Sequence, residues 1–233
     1  MNNTEFSDQF DTLLDSYKIA NNFGEAENLY TLKVDEYEKS LFLTYAQYDF
    51  INDLYSGRNI SGKSYEEIEE LRRYLADLNK SEDIKEFYSF NGLSKNSIKC
   101  KLNSDVLYIT HEQCIITSED KCLDGEYLDT YPIKRDQYNR VRKNPFRNNK
   151  IWRIDLSDNE IELISKHIIN TYKVSYIRKP KPIILEDLDD ISIEGISEKT
   201  ECELNPNLHR FILERAVMKA VQHMAIQNNK EEE

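Results

Sequence analysis

Two amphipathic helical blocks bracket this chain, YEKSLFLTYAQYDFINDLYSG at Tyr37 to Gly57 and ELNPNLHRFILERAVMKAVQHMAIQ at Glu203 to Gln227, and the stretch between them reads as β. An apolar helix face needs a partner, and the blocks lie too far apart in sequence to be one hairpin. The pattern predicts an α+β chain: a helical bundle formed by N-terminal helices and the C-terminal helix, with an inserted antiparallel β-rich domain. The divisions fall at 1–97 for the N-terminal helical part, 98–202 for the β-rich insert with its basic segment, and 203–233 for the closing helix and acidic tail.

Local signals fix several elements. Phe6, Phe10, Leu13, Leu14 and Tyr17 recur at helical spacing after Thr4, a candidate N-cap. Asp35-x-x-Glu38 has the form of a capping box and Gly57 of a helix stop. On that second helix, Tyr37, Leu41, Tyr45, Tyr48 and Ile51 form the expected apolar face, widened by Phe42, Ala46, Phe50 and Leu54. Ser64-x-x-Glu67 opens a predicted third helix carrying Ile68, Leu71, Leu75 and Leu78. From about Lys99 the runs DVLYIT and QCIITS, then Ile151 to Ile154, IELIS and IINTYKVSYI, have strand composition, the last ended by Lys179 to Pro182. Asn205-Pro206 starts the final helix.

The chain is acidic, with a formal net charge of −12 over 233 residues, which opposes sequence-independent binding to duplex DNA. The charge is unevenly placed. Lys134 to Arg153 carries Lys134, Arg135, Arg140, Arg142, Lys143, Arg147, Lys150 and Arg153 against Asp136 alone, while LEDLDD at Leu185 to Asp190 is acidic. A solvated loop, a nucleic-acid surface using Tyr138, Phe146 and Trp152, and a protein interface all fit the basic span. The interface reading places Lys134, Arg135, Arg140, Arg142, Lys143, Arg147 and Trp152 on one side, and Asp187, Asp189 and Asp190 on the other, of a contact between copies or with a partner.

Signatures of catalysis are absent: no phosphate loop, dinucleotide fingerprint, nucleophile elbow or H-E-x-x-H helix occurs. No cofactor or metal is expected. Four histidines and four cysteines lack ligand spacing, and the cysteines read as reduced thiols. The enzyme alternative is a metal-dependent nuclease built on Asp187, Asp189, Asp190 and Glu194 with Lys179 or Lys181. No run is long and apolar enough to span a bilayer, and no signal peptide is recognisable.

Two stretches, DEYEKSLFLTYAQYDFINDLY (Asp35 to Tyr55) and SYIRKPKPIILEDLDDISIEGISEKTECELNPNLHRFILERAVMKAV (Ser175 to Val221), resemble virion proteins of crAss-like and related short-tailed bacteriophages. The words that carry the likeness are YEKS-FLT-AQ, R-x-P-K-P-I-I-L and C-E-L-N-P-x-L-H-x-x-I-L-E-R-A-V. The resemblance implies a head-to-tail connector ring or adaptor, assembled in the bacterial cytoplasm and placed beneath the portal. Its implied partners are further copies in a closed ring of roughly a dozen, the portal protein, neighbouring connector or tail ring proteins, and genome DNA passing without specific binding.

Overall fold

The structure, a computed structural model, describes residues 1–20, 34–59, 62–65, 67–144 and 150–231. It is a mixed α+β chain divided into two compact units, Met1–Leu78 with Pro180–Glu233, and Asn79–Lys179.

In the first unit, helix α1 spans Asn3–Ala20, α2 Glu36–Ser56, the short α3 Glu69–Tyr74, and α5 His209–Glu231. Asn2, not Thr4, caps α1: its Oδ1 accepts from Glu5 N at 2.8 Å while the Glu5 carboxylate accepts from Asn2 N at 2.9 Å. The Asp35–Glu38 capping box is present on α2, and Gly57 ends it in the left-handed conformation at φ 80°. Asn205 accepts from Asn207 N at 3.0 Å, starting the 3-10 turn Pro206–Leu208 that leads into α5. Ile212, Leu213, Ala216, Val217 and Ala220 of α5 are buried, and the helix packs on α1 and α2. Phe211, on the same helix, is half exposed and stacks on Phe50 at 6.1 Å between centroids.

The third helix is shorter than predicted. No side chain caps it; Glu67 N instead bonds the Ser64 carbonyl in a turn. Leu71, Leu75 and Leu78 are buried as expected, but one helical turn and the 3-10 turn Ala76–Leu78 suffice to bury them before strand β1 begins.

The buried face of α2 holds Ala46, Ile51 and Leu54 as expected, but it is more polar than the apolar pattern implies. Ser40, Thr44 and Gln47 are buried, and Tyr45 is exposed. The reason is the chain laid against them. Residues 180–204 hold only two isolated bridges, Ile184↔Thr200 and Ile193↔Ile196, so their backbone polar groups need other partners. Ser40 Oγ accepts from Leu185 N at 3.0 Å, Thr44 Oγ1 from Ile183 N at 3.1 Å, and Gln47 Nε2 donates to the Lys181 carbonyl at 2.9 Å. From α1, Asn3 Nδ2 donates to the carbonyls of Ile184 and Thr200. Burial pushes the Cys202 thiol up to about 11, so it stays protonated and donates to Gln47 Oε1.

The second unit is one eight-stranded sheet in the order β1-β8-β4-β5-β6-β7-β3-β2. The strands are β1 Asn79–Ile84, β2 Tyr88–Ser89, β3 Ser97–Lys101, β4 Val106–Thr117, β5 Tyr127–Pro132, β6 Ile151–Asp155, β7 Glu160–Ile164 and β8 Ile168–Arg178. Its two edges are consecutive in the chain, joined by Lys85–Phe87 alone. Laid flat, eight strands would separate those edges by about 34 Å, whereas so short a link spans at most about 14 Å. The sheet therefore curls on itself, enclosing Cys100, Cys114, Ile116, Ile151, Ile161, Leu163, Tyr172, Val174 and Tyr176. Strand structure begins at Asn79, twenty residues before the expected change of period. The two predicted runs around His111-Glu112 form one long strand, because Glu112 points into the interior and is satisfied there.

All pairings are antiparallel except β5–β6, which is parallel and corrects the expectation of a wholly antiparallel insert. Parallel neighbours need a crossover instead of a tight turn. Residues 133–150 supply it, and they include the 3-10 turn Arg135–Gln137 and helix α4, Tyr138–Arg142. The β6–β7 connection is by contrast a tight hairpin, with Asp158 and Asn159 at φ 57° and 59°.

A second polar residue, Glu162, is fully buried on the opposite face. Its Oε1 accepts from Leu93 N at 2.8 Å and Ser97 Oγ at 2.5 Å. The approach of Gly92 makes this possible, since a Cβ there would lie 2.6 Å from the Glu162 Cδ. Gly92→Ala is expected to displace the carboxylate and destabilise the protein by about 1–3 kcal/mol. Urea titration reads the shift, and an unchanged midpoint would show that the loop yields at no cost.

Candidate functional site

The basic span is the β5–β6 crossover, and its shape follows from which residues face the sheet. Tyr138 and Val141, three apart on α4, pack against Trp152, Ile154 and Ile164 on the outer face of β6 and β7. Trp152 is only 8% exposed, and its ring lies 6.0 Å from that of Tyr131. With that stripe turned inward, Lys134, Arg135, Arg140, Arg142 and Lys143 are exposed. Among the described residues none of these five side chains has a hydrogen bond or ion pair. Arg147 lies outside the described residues. The helix thus presents a row of unneutralised cations on a backbone anchored by aromatic packing.

Two members of the run behave differently. Lys150 Nζ sits 3.9 Å above the Tyr131 ring, a cation–π contact. Arg153 faces the sheet interior, 3.2 Å from Glu112 and 3.2 Å from Asp155. The Glu112 approach is an ion pair without hydrogen-bond alignment, because Arg153 Nη1 has no hydrogen-bond acceptor. Tyr172 OH donates to the same carboxylate at 2.8 Å. Burial raises the Glu112 pKa, outweighing the opposing pull of Arg153 and the Tyr172 hydroxyl.

The acidic residues belong to the other unit. Asp187, Asp189 and Asp190 are exposed. Asp187 Oδ1 accepts from Lys199 N at 2.7 Å, whereas Asp189 and Asp190 have no partner among the described residues. Glu194, named with them for a nuclease, instead accepts from Tyr48 OH at 2.5 Å. Among the described residues no three His, Cys, Asp or Glu side chains converge as a metal ion requires. Three of the four carboxylates of that alternative share one loop, but no cation cage is formed.

The sequence reading missed an apolar groove in the first unit. Phe50 and Leu54 of α2, Leu71 of α3, and Phe211 and Met218 of α5 line an open cavity of about 870 Å³. Four of its rim charges are mutually paired, Arg215 with Asp53 at 2.8 Å and Lys219 with Asp49 at 2.5 Å. Phe211 and Met218 stand seven residues apart, one step round the helix from the Ile212–Ala216–Ala220 stripe. That offset was the available signal.

The described surface thus combines an exposed cationic crossover with an apolar groove, and among the described residues neither gathers the side chains of a metal site. The chain matches the family described as phage tail ring protein 3/4 over residues 1–232, and it belongs to that family. It is 45% identical over 228 residues to ring protein 3 of Bacteroides phage crAss001, covering 95% of each chain. It is 31% identical over 230 residues to ring protein 4/5 of the same phage, covering 93% of this chain and 91% of that one. The words that carried the resemblance meet in the fold: Ser40, Thr44 and Gln47 of the first hold the backbone of Lys181, Ile183 and Leu185 of the second.

Proposed function

We propose that this chain is the subunit of a closed homo-oligomeric ring in the head-to-tail connector of a crAss-like phage. The ring stacks beneath the portal with other ring proteins and continues the channel through which DNA leaves the head. In this reading α1, α2 and α5 form a helical bundle that makes the body of each subunit. A cyclic ring needs one surface to meet a different surface on the next copy, with roughly a dozen copies closing the circle. Lys134, Arg135, Arg140, Arg142, Lys143 and Arg147, with Trp152 as their anchor, form one such surface; Asp187, Asp189 and Asp190 belong to the other. The observation that carries the reading is the full-length family match. The unpaired cations on α4 support the placement of the contact. The higher identity to ring protein 3 than to ring protein 4/5 favours a counterpart of the former.

Mass photometry and negative-stain microscopy on the purified protein, alone and mixed with the portal of its virus, test this directly. Closed rings are expected in at least one sample. Arg140→Glu, Arg142→Glu and Lys143→Glu together are expected to abolish rings while circular dichroism stays that of the wild type. Rings of wild-type size from the triple variant would remove α4 from the contact. A monomer in both samples, with salt-sensitive binding to duplex DNA, would favour the nucleic-acid alternative.

A further inference from the structure

Between α4 and the β6–β7 hairpin lies a cleft of about 170 Å³. Arg142, Lys150 and Lys166 stand on its walls, and Tyr138 and Trp152 give it an aromatic side. Among the described residues its lining contains no Asp or Glu, so each formal charge on it is positive. We infer that this cleft is the seat for a carboxylate side chain from the Glu186–Asp190 segment of a second copy, which makes it the anchor point of the ring contact. The inference rests on the ring reading and adds Lys150 and Lys166 to it.

Size, charge and supply argue for that occupant. The volume corresponds to about five or six waters, enough for one acidic side chain. A guanidinium and two ammonium groups beside aromatic rings give a carboxylate charge-assisted hydrogen bonds in a partly dry setting, where they are strongest. Arg and Trp are also the residue types on which binding energy concentrates at protein interfaces. Every subunit carries one cleft and one acidic segment, on different units of the chain. In a closed ring each cleft would therefore be filled by the next copy, with none left over. Asp189 and Asp190 are the best placed to supply that carboxylate, being exposed and without a partner among the described residues.

Trp152 is the sole tryptophan, so its emission reports the cleft. The full chain, diluted until mass photometry shows monomers, is titrated with a peptide of residues 183–193. Parallel titrations use the same peptide with its three aspartates changed to asparagine, inorganic phosphate, and a short duplex oligonucleotide. A saturable, salt-sensitive change with the acidic peptide is expected, weakened about tenfold or more by the asparagine changes and by Lys150→Glu with Lys166→Glu in the protein. Equal responses to both peptides, or none, overturn the inference. Tighter binding of phosphate or of the oligonucleotide overturns it in favour of a phosphate site. Normal rings from the Lys150→Glu, Lys166→Glu protein overturn the seat and leave the ring reading intact, whereas wild-type protein that binds the peptide but never forms rings strikes the ring reading alone.

Discussion

Removal of residues 205–233 is expected to abolish folding of the helical unit and cause aggregation. The deleted stretch contributes Leu208, Ile212, Leu213, Val217 and Met224, all buried, together with Ala216 and Ala220 that let the helices approach. Burial of each large side chain stabilises by about 1.5–3 kcal/mol, so their summed loss matches or exceeds the stability of a typical domain. The truncation would also uncover the apolar side chains of α1 that α5 covers, Phe6 and Phe10 among the most buried in the chain. Binding of a hydrophobic dye, precipitation on purification and a broadened thermal transition are the expected readouts. A soluble truncation that unfolds cooperatively at the wild-type temperature would show that α1 and α2 have a sufficient core without α5.

The second large effect concerns the polar network inside the curled sheet. Arg153→Ala leaves the buried Glu112 carboxylate with the Tyr172 hydroxyl as its one hydrogen-bond partner among the described residues, and such half-broken buried pairs cost about 3–5 kcal/mol. The pH dependence has a definite sign. Glu112 already has a raised pKa in the folded protein, so its contribution to stability is fully present below the unfolded value of about 4.3 and is lost as pH rises through the folded one. Without Arg153 the folded value rises further. The deficit of Arg153→Ala relative to wild type should therefore be largest near pH 8 and shrink toward pH 5. Adding Glu112→Gln should remove most of that dependence. Urea midpoints at the two pH values measure it, and a deficit independent of pH would mean that Arg153 acts through packing alone.

How much of this could be read in advance varies with the kind of signal. Helix α2 was legible at both ends because its stop and start are local chemistry: a capping box and a glycine. The β6–β7 hairpin and the proline-bounded end of β8 were legible for the same reason. What failed depended on partners remote in sequence. Strand β1, NKSEDI, has little apolar content because it is an edge strand with one buried residue, Ile84. The polar face of α2 could not be recognised as buried, since Ser40, Thr44 and Gln47 are there to bond a backbone about 140 residues away. The charge run was correctly located as a cationic segment. Only the fold separates Arg153, inside the sheet, from Arg140 and Arg142 on the outside, because strand alternation sends Trp152 and Arg153 to opposite faces.

The pairing of the first strand with the eighth, and a helical unit drawn from stretches on either side of the sheet in sequence, carry a consequence for synthesis. Strand β1 pairs only with β8, and α1 is covered by α5, so neither early element can complete its packing until most of the polypeptide exists. At about 5–20 residues per second, α1 waits on the order of 10–40 seconds for its partner. Contacts of such long sequence separation also slow folding after release. Each subunit therefore completes its fold late, and growing chains made side by side on one message expose the faces that α5 will later cover. Assembly must wait on folding of the single chain, which places α5 in control of when a subunit becomes competent to join its neighbours.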